Sequence, residues 1–166
     1  MQFKDLRSYI EELEGNAPDE IRFVNRTVDN KFELSAVLAK LESKSSYPAV
    51  VFNKVAGYKF PVVSNLFTSR KRLAFALGCE EKGLNKVYRS REDNRIEPKL
   101  VSTGPVKKSI KTKGDIDLTE LPIVTHNEKD AGPYITAGAM VIKDPETGRR
   151  SQARMWPLLP LLLTHL

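Results

Sequence analysis

Apolar residues return at helical spacing over residues 3–14, where "FKDLRSYIEELE" places Phe3, Leu6, Ile10 and Leu13 on one stripe. Gly15 stands where a C-cap belongs. "IRFVNRTV" then alternates in the manner of a strand. The helical period resumes in "DNKFELSAVLAKLESK", with Leu34, Val37, Leu38 and Leu41 as the buried stripe and Asp29 or Asn30 as cap. "PAVVFNKV" is a β-branched run of the kind found in a central strand. "GYKF" turns the chain and "PVVSN" predicts another strand. "TSRKRLAFALG" predicts a helix opened by Thr68 or Ser69 and closed by Gly78, and a further helix is expected over Leu84–Ser90. Strands alternating with helices predict an α/β (α+β) domain over residues 1–95.

The pattern then changes. Residues 96–120 are polar and carry Pro98, Gly104, Pro105 and Gly114, which predicts an extended linker. Residues 121–155 return to strand–turn–strand character. "YITAGAMVI" is small and β-prone, "DPETG" is a turn with Pro145 at i+1 and Gly148 suited to a positive φ, and "SQARM" is the returning strand. A β-rich second domain is thus expected to open there. Residues 156–166, "WPLLPLLLTHL", form an aberrant apolar tail.

Composition narrows the classes. Hydrophobic residues make up 40% and charged residues 29%, which excludes a disordered chain. A single cysteine, Cys79, excludes an intramolecular disulfide and a Cys-rich zinc site, and with the charged amphipathic N-terminus it suits a cytoplasmic protein. The net charge of +6 suits either a soluble surface or an anionic partner. Aromatics at 8% and the lack of an RNA-binding motif argue against nucleic acid. The tail is too short for a membrane span and is broken by Pro157 and Pro160. Its P-x-x-P spacing could serve a polyproline reader.

Candidate chemistry is sparse. His126, among Asn127, Glu128 and Asp130, is either a ligand or acid–base group or a solvated loop histidine, the expected state; His165 lies in the tail. Arg70, Lys71 and Arg72 open a helix and read either as an anion site or as a solvated basic face. No serine–histidine–aspartate, phosphate-loop or dinucleotide glycine pattern is present.

Three stretches change this picture. "MQFKDLRSYIEELE", "PAVVFNKVAGYKFPVVSNLFTSRKRLAFALG" and "LPIVTHNEKDAGPYITAGAMVIKDPETGRR" resemble, in order and spacing, the N-terminal part of the UbiD-type carboxy-lyases. The resemblance implies an α/β N-terminal domain followed by the start of a split β-barrel that binds prenylated FMN, here truncated. It implies reversible, non-oxidative decarboxylation of aromatic or α,β-unsaturated carboxylic acids, and a flavin prenyltransferase as supplier of the cofactor. The family strand after "DPETG" reads approximately N-x-S/G-x-x-R-M. By that resemblance Ser151, Gln152, Ala153 and Arg154 are the cofactor-binding residues, and Arg154 is also the catalytic candidate.

The family asparagine that ligates a divalent metal, usually Mn²⁺, has no counterpart, since Arg149 and Arg150 precede Ser151. A cation cannot ligate Mn²⁺. No metal ligand is therefore assigned, and the chain is expected to be inactive by itself, as a fragment interrupted within one barrel strand. A homo-oligomer is compatible with the family. The competing expectation is a non-enzymatic truncated relative that binds a partner or an anion through its basic face.

Overall fold

The structure, a computed structural model, describes residues 5–94, 96, 99–148 and 150–155; of Lys113, Met140 and residues 150–155 it describes the backbone alone. Phe3, Pro98, Arg149 and the tail with Trp156, Pro157, Pro160 and His165 lie outside the described residues.

The first helix, α1, spans Leu6–Asn16. Asp5 caps it: its carboxylate accepts from the Ser8 amide at 2.9 Å, and Ser8 Oγ accepts from the Asp5 amide at 3.1 Å. The helix does not stop at Gly15 as expected. It runs through Asn16 and is capped by Ala17, which stands two residues beyond Gly15, precedes Pro18 and is held at φ −149°. The proline ring disfavours a helical residue before it, so the proline and not the glycine sets the boundary. Strand β1 (Ile21–Val28) leads to α2 (Glu33–Glu42), β2 (Ala49–Val55) and β3 (Val62–Ser64). Two more helices follow, α3 (Arg70–Leu77) and α4 (Leu84–Asp93).

Helix α2 begins later than its apolar period predicts. Neither Asp29 nor Asn30 caps it; Phe32, at φ 69°, occupies the N-cap position. The cause is tertiary. Asn30 Nδ2 donates to the Ile123 carbonyl at 3.0 Å and to the Tyr58 hydroxyl at 3.1 Å. Lys31 forms a parallel bridge with Thr125. Residues 30–32 are thereby held against a distant segment and cannot join the helix.

The three strands form one sheet in the order β1–β2–β3, with β1 and β2 parallel and β2 and β3 antiparallel. Strand β2 is central, and Ala49 to Phe52 are all buried. Its alternating positions serve two cores. Val50 and Phe52 pack with Val28, Leu34 and Val124, with Val37, Leu38 and Leu41 of α2 against them. Ala49 and Val51 pack with Tyr9, Leu13 and Ile21, with Phe75 and Ala76 of α3 against them. Each buried Val, Leu or Phe contributes about 1.5–3 kcal/mol. A continuous apolar strand is the signature of burial on both faces.

The expected linker is a chain of exposed short turns at Pro105–Lys107, Lys113–Asp115 and Leu118–Glu120. Residues 121–137 then return to the first sheet instead of forming a strand of their own. Ile123 and Val124 are buried there, Thr125 donates its amide to the Asn30 carbonyl at 3.2 Å, and Tyr134 donates its amide to the Val124 carbonyl at 3.2 Å. A separate antiparallel hairpin follows, β4 (Gly138–Lys143) and β5 (Arg150–Met155). The architecture is mixed α and β with a small sheet, and among the described residues these two strands do not close a barrel.

Candidate functional site

The residues marked by the resemblance lie on β5. Ser151 is opposite Ile142, Gln152 opposite Val141, Ala153 opposite Met140 and Arg154 opposite Ala139. Successive strand positions alternate between faces, so positions 152 and 154 share one face of the hairpin and 151 and 153 the other. The turn that sets this register is built from "DPETG". Asp144 accepts from the Glu146 amide at 2.9 Å and the Thr147 amide at 2.6 Å, and Gly148, at φ 68°, donates its amide to the Asp144 carbonyl at 3.0 Å. The Thr147 amide bond, first among several hydrogen bonds, holds the Asp144 carboxyl below the usual carboxylate range.

Beside the start of β4 lies an open cleft of about 690 Å³. One wall is Thr136–Ala139 and the other is the loop between β3 and α3, from Ser64 to Thr68. Its size falls within the range of small-molecule and cofactor sites, roughly 300–1,000 Å³. The loop turns at Asn65, which has φ 58°.

Arg72 fixes that loop. It is 1% exposed, and its guanidinium donates to the Leu66 carbonyl at 3.0 Å, the Asn65 carbonyl at 3.0 Å and Thr68 Oγ1 at 2.6 Å. It also reaches the Tyr47 carbonyl at 2.5 Å and Glu20 Oε2 at 2.6 Å. The planar fork suits this many partners at fixed angles. Tyr9 donates its hydroxyl to the Arg72 carbonyl at 3.3 Å, and burial pushes its phenol up.

Neither reading of the basic triplet survives for Arg72, which is a buried tie between loops. Lys71 pairs with Asp19 and Glu20, both at 3.3 Å, and Arg70 reaches Glu81 at 3.8 Å. The helix opens instead on Ser69, whose Oγ accepts from the Arg72 amide at 3.1 Å, and closes on Gly78 at φ 64°. One sequence signal does mark Arg72. It precedes Phe75 and Ala76 by three and four residues and so shares their buried face.

His126 is not the solvated loop residue expected. It is half-buried, and its Nδ1 lies 3.1 Å from Ser35 Oγ on α2. Asp130 closes the loop by accepting from the His126 amide at 3.2 Å and the Asn127 amide at 2.9 Å. Nε2 of His126 is buried and has no hydrogen-bond partner among the described residues. An unmet buried donor or acceptor costs about 1–3 kcal/mol.

The residues present do not fit a bound metal. Among the described residues no group of three or more His, Cys, Asp or Glu is placed to hold an ion. By the resemblance the family's asparagine position falls at Arg149, a cation that cannot supply an oxygen ligand, and Arg150 pairs with Lys143 across the hairpin. The cleft is large enough for part of a flavin, and β5 is hydrogen-bonded to the strand that begins at its wall. No helix of the described residues is long and apolar enough to cross a membrane.

The comparisons follow the same two regions. A family profile of the 3-octaprenyl-4-hydroxybenzoate carboxy-lyase N-terminal domain matches residues 12–91, and one of the same enzyme's Rift-related domain matches residues 99–156. An uncharacterized protein from the cooM 5′ region of Rhodospirillum rubrum is 34% identical over 151 residues, covering 89% of this chain and 31% of that protein. The evolved dimeric form of the UbiD-class enzyme HmfF from Pelotomaculum thermopropionicum, solved with prFMN, superposes with a TM-score of 0.80 at 32% identity. That match covers 93% of this chain and 35% of HmfF. The open form of the Sedimentibacter hydroxybenzoicus vanillic acid decarboxylase gives a TM-score of 0.78 at 29% identity, over 94% of this chain and 36% of that one. The chain therefore spans about a third of the length of the proteins it matches. With two consecutive domains of one family matched in order, and the fold shared with its solved enzymes, this chain belongs to the UbiD family of carboxy-lyases.

Proposed function

We propose that this chain provides the N-terminal region and the first flavin-facing hairpin of a UbiD-type decarboxylase. The reaction is non-oxidative, reversible release of CO₂ from an aromatic or α,β-unsaturated carboxylic acid. The observation that carries the reading is the shared fold with HmfF, at a TM-score of 0.80 over 93% of this chain. In this reading residues 1–95 are the N-terminal domain, 96–120 the connection, and 121–155 the opening of the split barrel.

Ser151, Gln152, Ala153 and Arg154 are the residues proposed to meet the cofactor. Prenylated FMN, when bound, supplies an electron sink for the carbanion left by loss of CO₂. Arg154 would hold an anionic group through charge-assisted hydrogen bonds. Gln152, two positions away on the same face, would add a neutral donor and acceptor. The β3–α3 loop would exclude water from one side of the cleft. A flavin prenyltransferase is the expected supplier of the cofactor, and a cytoplasmic location and homo-oligomeric assembly suit the reading. Mn²⁺ does not fit the residues present, so no step is assigned to it, and the chain by itself is expected to give no turnover. The anion-binding alternative rested on Arg70, Lys71 and Arg72. Their engagement with Glu81, Asp19 and Glu20 leaves it without an argument.

The test is co-expression with a flavin prenyltransferase, followed by flavin absorbance and CO₂ release on a panel of aromatic and cinnamic-type acids. Weak flavin retention that Arg154→Ala abolishes supports the reading. Flavin retention unchanged by substitution at both Gln152 and Arg154 contradicts it, and so does turnover by the chain alone.

A further inference from the structure

Helices α3 and α4 leave an open groove of about 400 Å³ between them. Leu73, Leu77 and Leu84 make it apolar, Arg70 and Arg89 edge it, and Tyr88 stands in its wall, 60% exposed. An apolar space of roughly 150 Å³ admits benzene, so the groove has room for a second aromatic side chain.

The charges along α4 run against its own dipole. Its first turn holds no acid, and Gly83 at the N-cap makes no side-chain hydrogen bond. Lys86 lies near the N-terminus, and Glu92 and Asp93 end the helix. A helix favours the opposite order, acid first and base last. Arg91 is basic in the last turn, but its guanidinium donates to the Leu77 carbonyl at 2.6 Å and is thereby turned onto α3. Lys86, Arg89 and Asp93, at i, i+3 and i+7, form one exposed stripe beside Tyr88. None of these three has an ion pair among the described residues.

Such a helix complements itself. Turned antiparallel against a second copy, Lys86 of each meets the Asp93 end of the other. A uniformly acidic partner would be repelled at Asp93, and a uniformly basic one at Lys86 and Arg89. We propose that two copies of this chain dock by their α4 helices, antiparallel about a two-fold axis. Tyr88 of each copy enters the α3–α4 groove of the other, under Arg89, and Lys86 pairs with Asp93 of the other copy. The inference does not rest on the flavin reading, whose tests use absorbance and turnover.

The experiment is sedimentation velocity of the full chain across a concentration series. The wild type is expected to pass from monomer to dimer with a dissociation constant of about 10–100 µM, as suits a small interface. Tyr88→Ala should weaken the dimer about tenfold or more. Lys86→Glu and Asp93→Lys should each weaken it about tenfold, because like charges then face each other across the axis. Both reversals align the charges with the helix dipole, so neither weakens the dimer by unfolding α4. A mixture of these two single variants should restore the wild-type affinity, and so should the Lys86→Glu/Asp93→Lys double variant. A wild type that stays monomeric throughout leaves the groove to a different partner and overturns the proposal. Self-association that the charge reversals do not weaken, or that their mixture does not restore, runs through another surface and also overturns it.

Discussion

Nη1 of Arg72 lies 2.6 Å from Oε2 of Glu20, with the two side chains 1% and 17% exposed. This pair joins the turn at Pro18–Glu20 to the first turn of α3, and the rest of the guanidinium ties Tyr47, Asn65, Leu66 and Thr68 to the same point. Removing one partner of a buried ion pair leaves the other uncompensated, at a cost of about 3–5 kcal/mol. Arg72→Leu is therefore expected to lower the unfolding free energy by that amount in urea titration. Arg72→Lys keeps the charge and loses the fork, so it should fall between Leu and the wild type. A Leu variant with an unchanged urea midpoint would mean that the loop is held by packing alone.

The ends of α3 make a second prediction. Ser69→Ala removes the acceptor of the Arg72 amide and should cost about 1 kcal/mol. Gly78 sits at φ 64°, where an L side chain meets the following carbonyl, so Gly78→Ala should cost about 1–2 kcal/mol. Asn tolerates this conformation better than Ala, and Gly78→Asn should recover part of the loss in the same thermal melts.

The hairpin should respond to acid through Asp144. Its folded carboxyl is held below its ordinary value of 3.8 by the amides of Thr147 and Glu146. A depressed folded value means that the stabilisation is present above the unfolded value and is lost as pH falls through the folded one. The amide protection factors across Gly138–Lys143 and Arg150–Met155, exchange rates referred to those of the unfolded chain at the same pH, should therefore fall below about pH 4, close to the reference value for Asp. Asp144→Asn should remove this pH dependence. Protection factors that stay flat through this range in the wild type would refute the turn's role.

Protease should cut first in the connection between the two regions. Lys99, Lys107, Lys108 and Lys111 are exposed there, and Leu100, Val106 and Ile110 are also open to solvent. Exposed backbone outside regular structure is the preferred site of nicking. Brief trypsin digestion, read by mass spectrometry, should leave a fragment containing Ile21–Val28 and Ala49–Val55 uncut. Early cleavage at Lys54, within the sheet, would contradict the fold.

Metal should not stabilise this chain. A ligand that binds the native state raises the apparent melting temperature by mass action. Mn²⁺ is expected to leave the transition unmoved, because Arg149, a cation, stands where the resemblance places the oxygen ligand. A concentration-dependent rise in melting temperature would overturn that reading of the hairpin.

The chain's own pattern was sufficient for most elements because their causes are local. The β-branched run of "PAVVFNKV", the cap at Ser69, the αL glycine at Gly78 and the "DPETG" turn with Gly148 at φ 68° all act within a few residues. The motifs of the two regions also led to the family, because they persist in order along one chain. Other features were decided by contacts far apart in sequence. Asn30 turns from capping α2 to holding Ile123, ninety-three residues away. Arg72, one of three adjacent basic residues, is buried because carbonyls from two loops and Glu20 converge on it. His126 leaves solvent because Ser35, ninety-one residues earlier, meets its ring. Helical and strand periods report which face of an element is buried. They do not report which distant polar group a buried side chain will meet, and that pairing is set when the segments pack and each desolvated donor must find an acceptor.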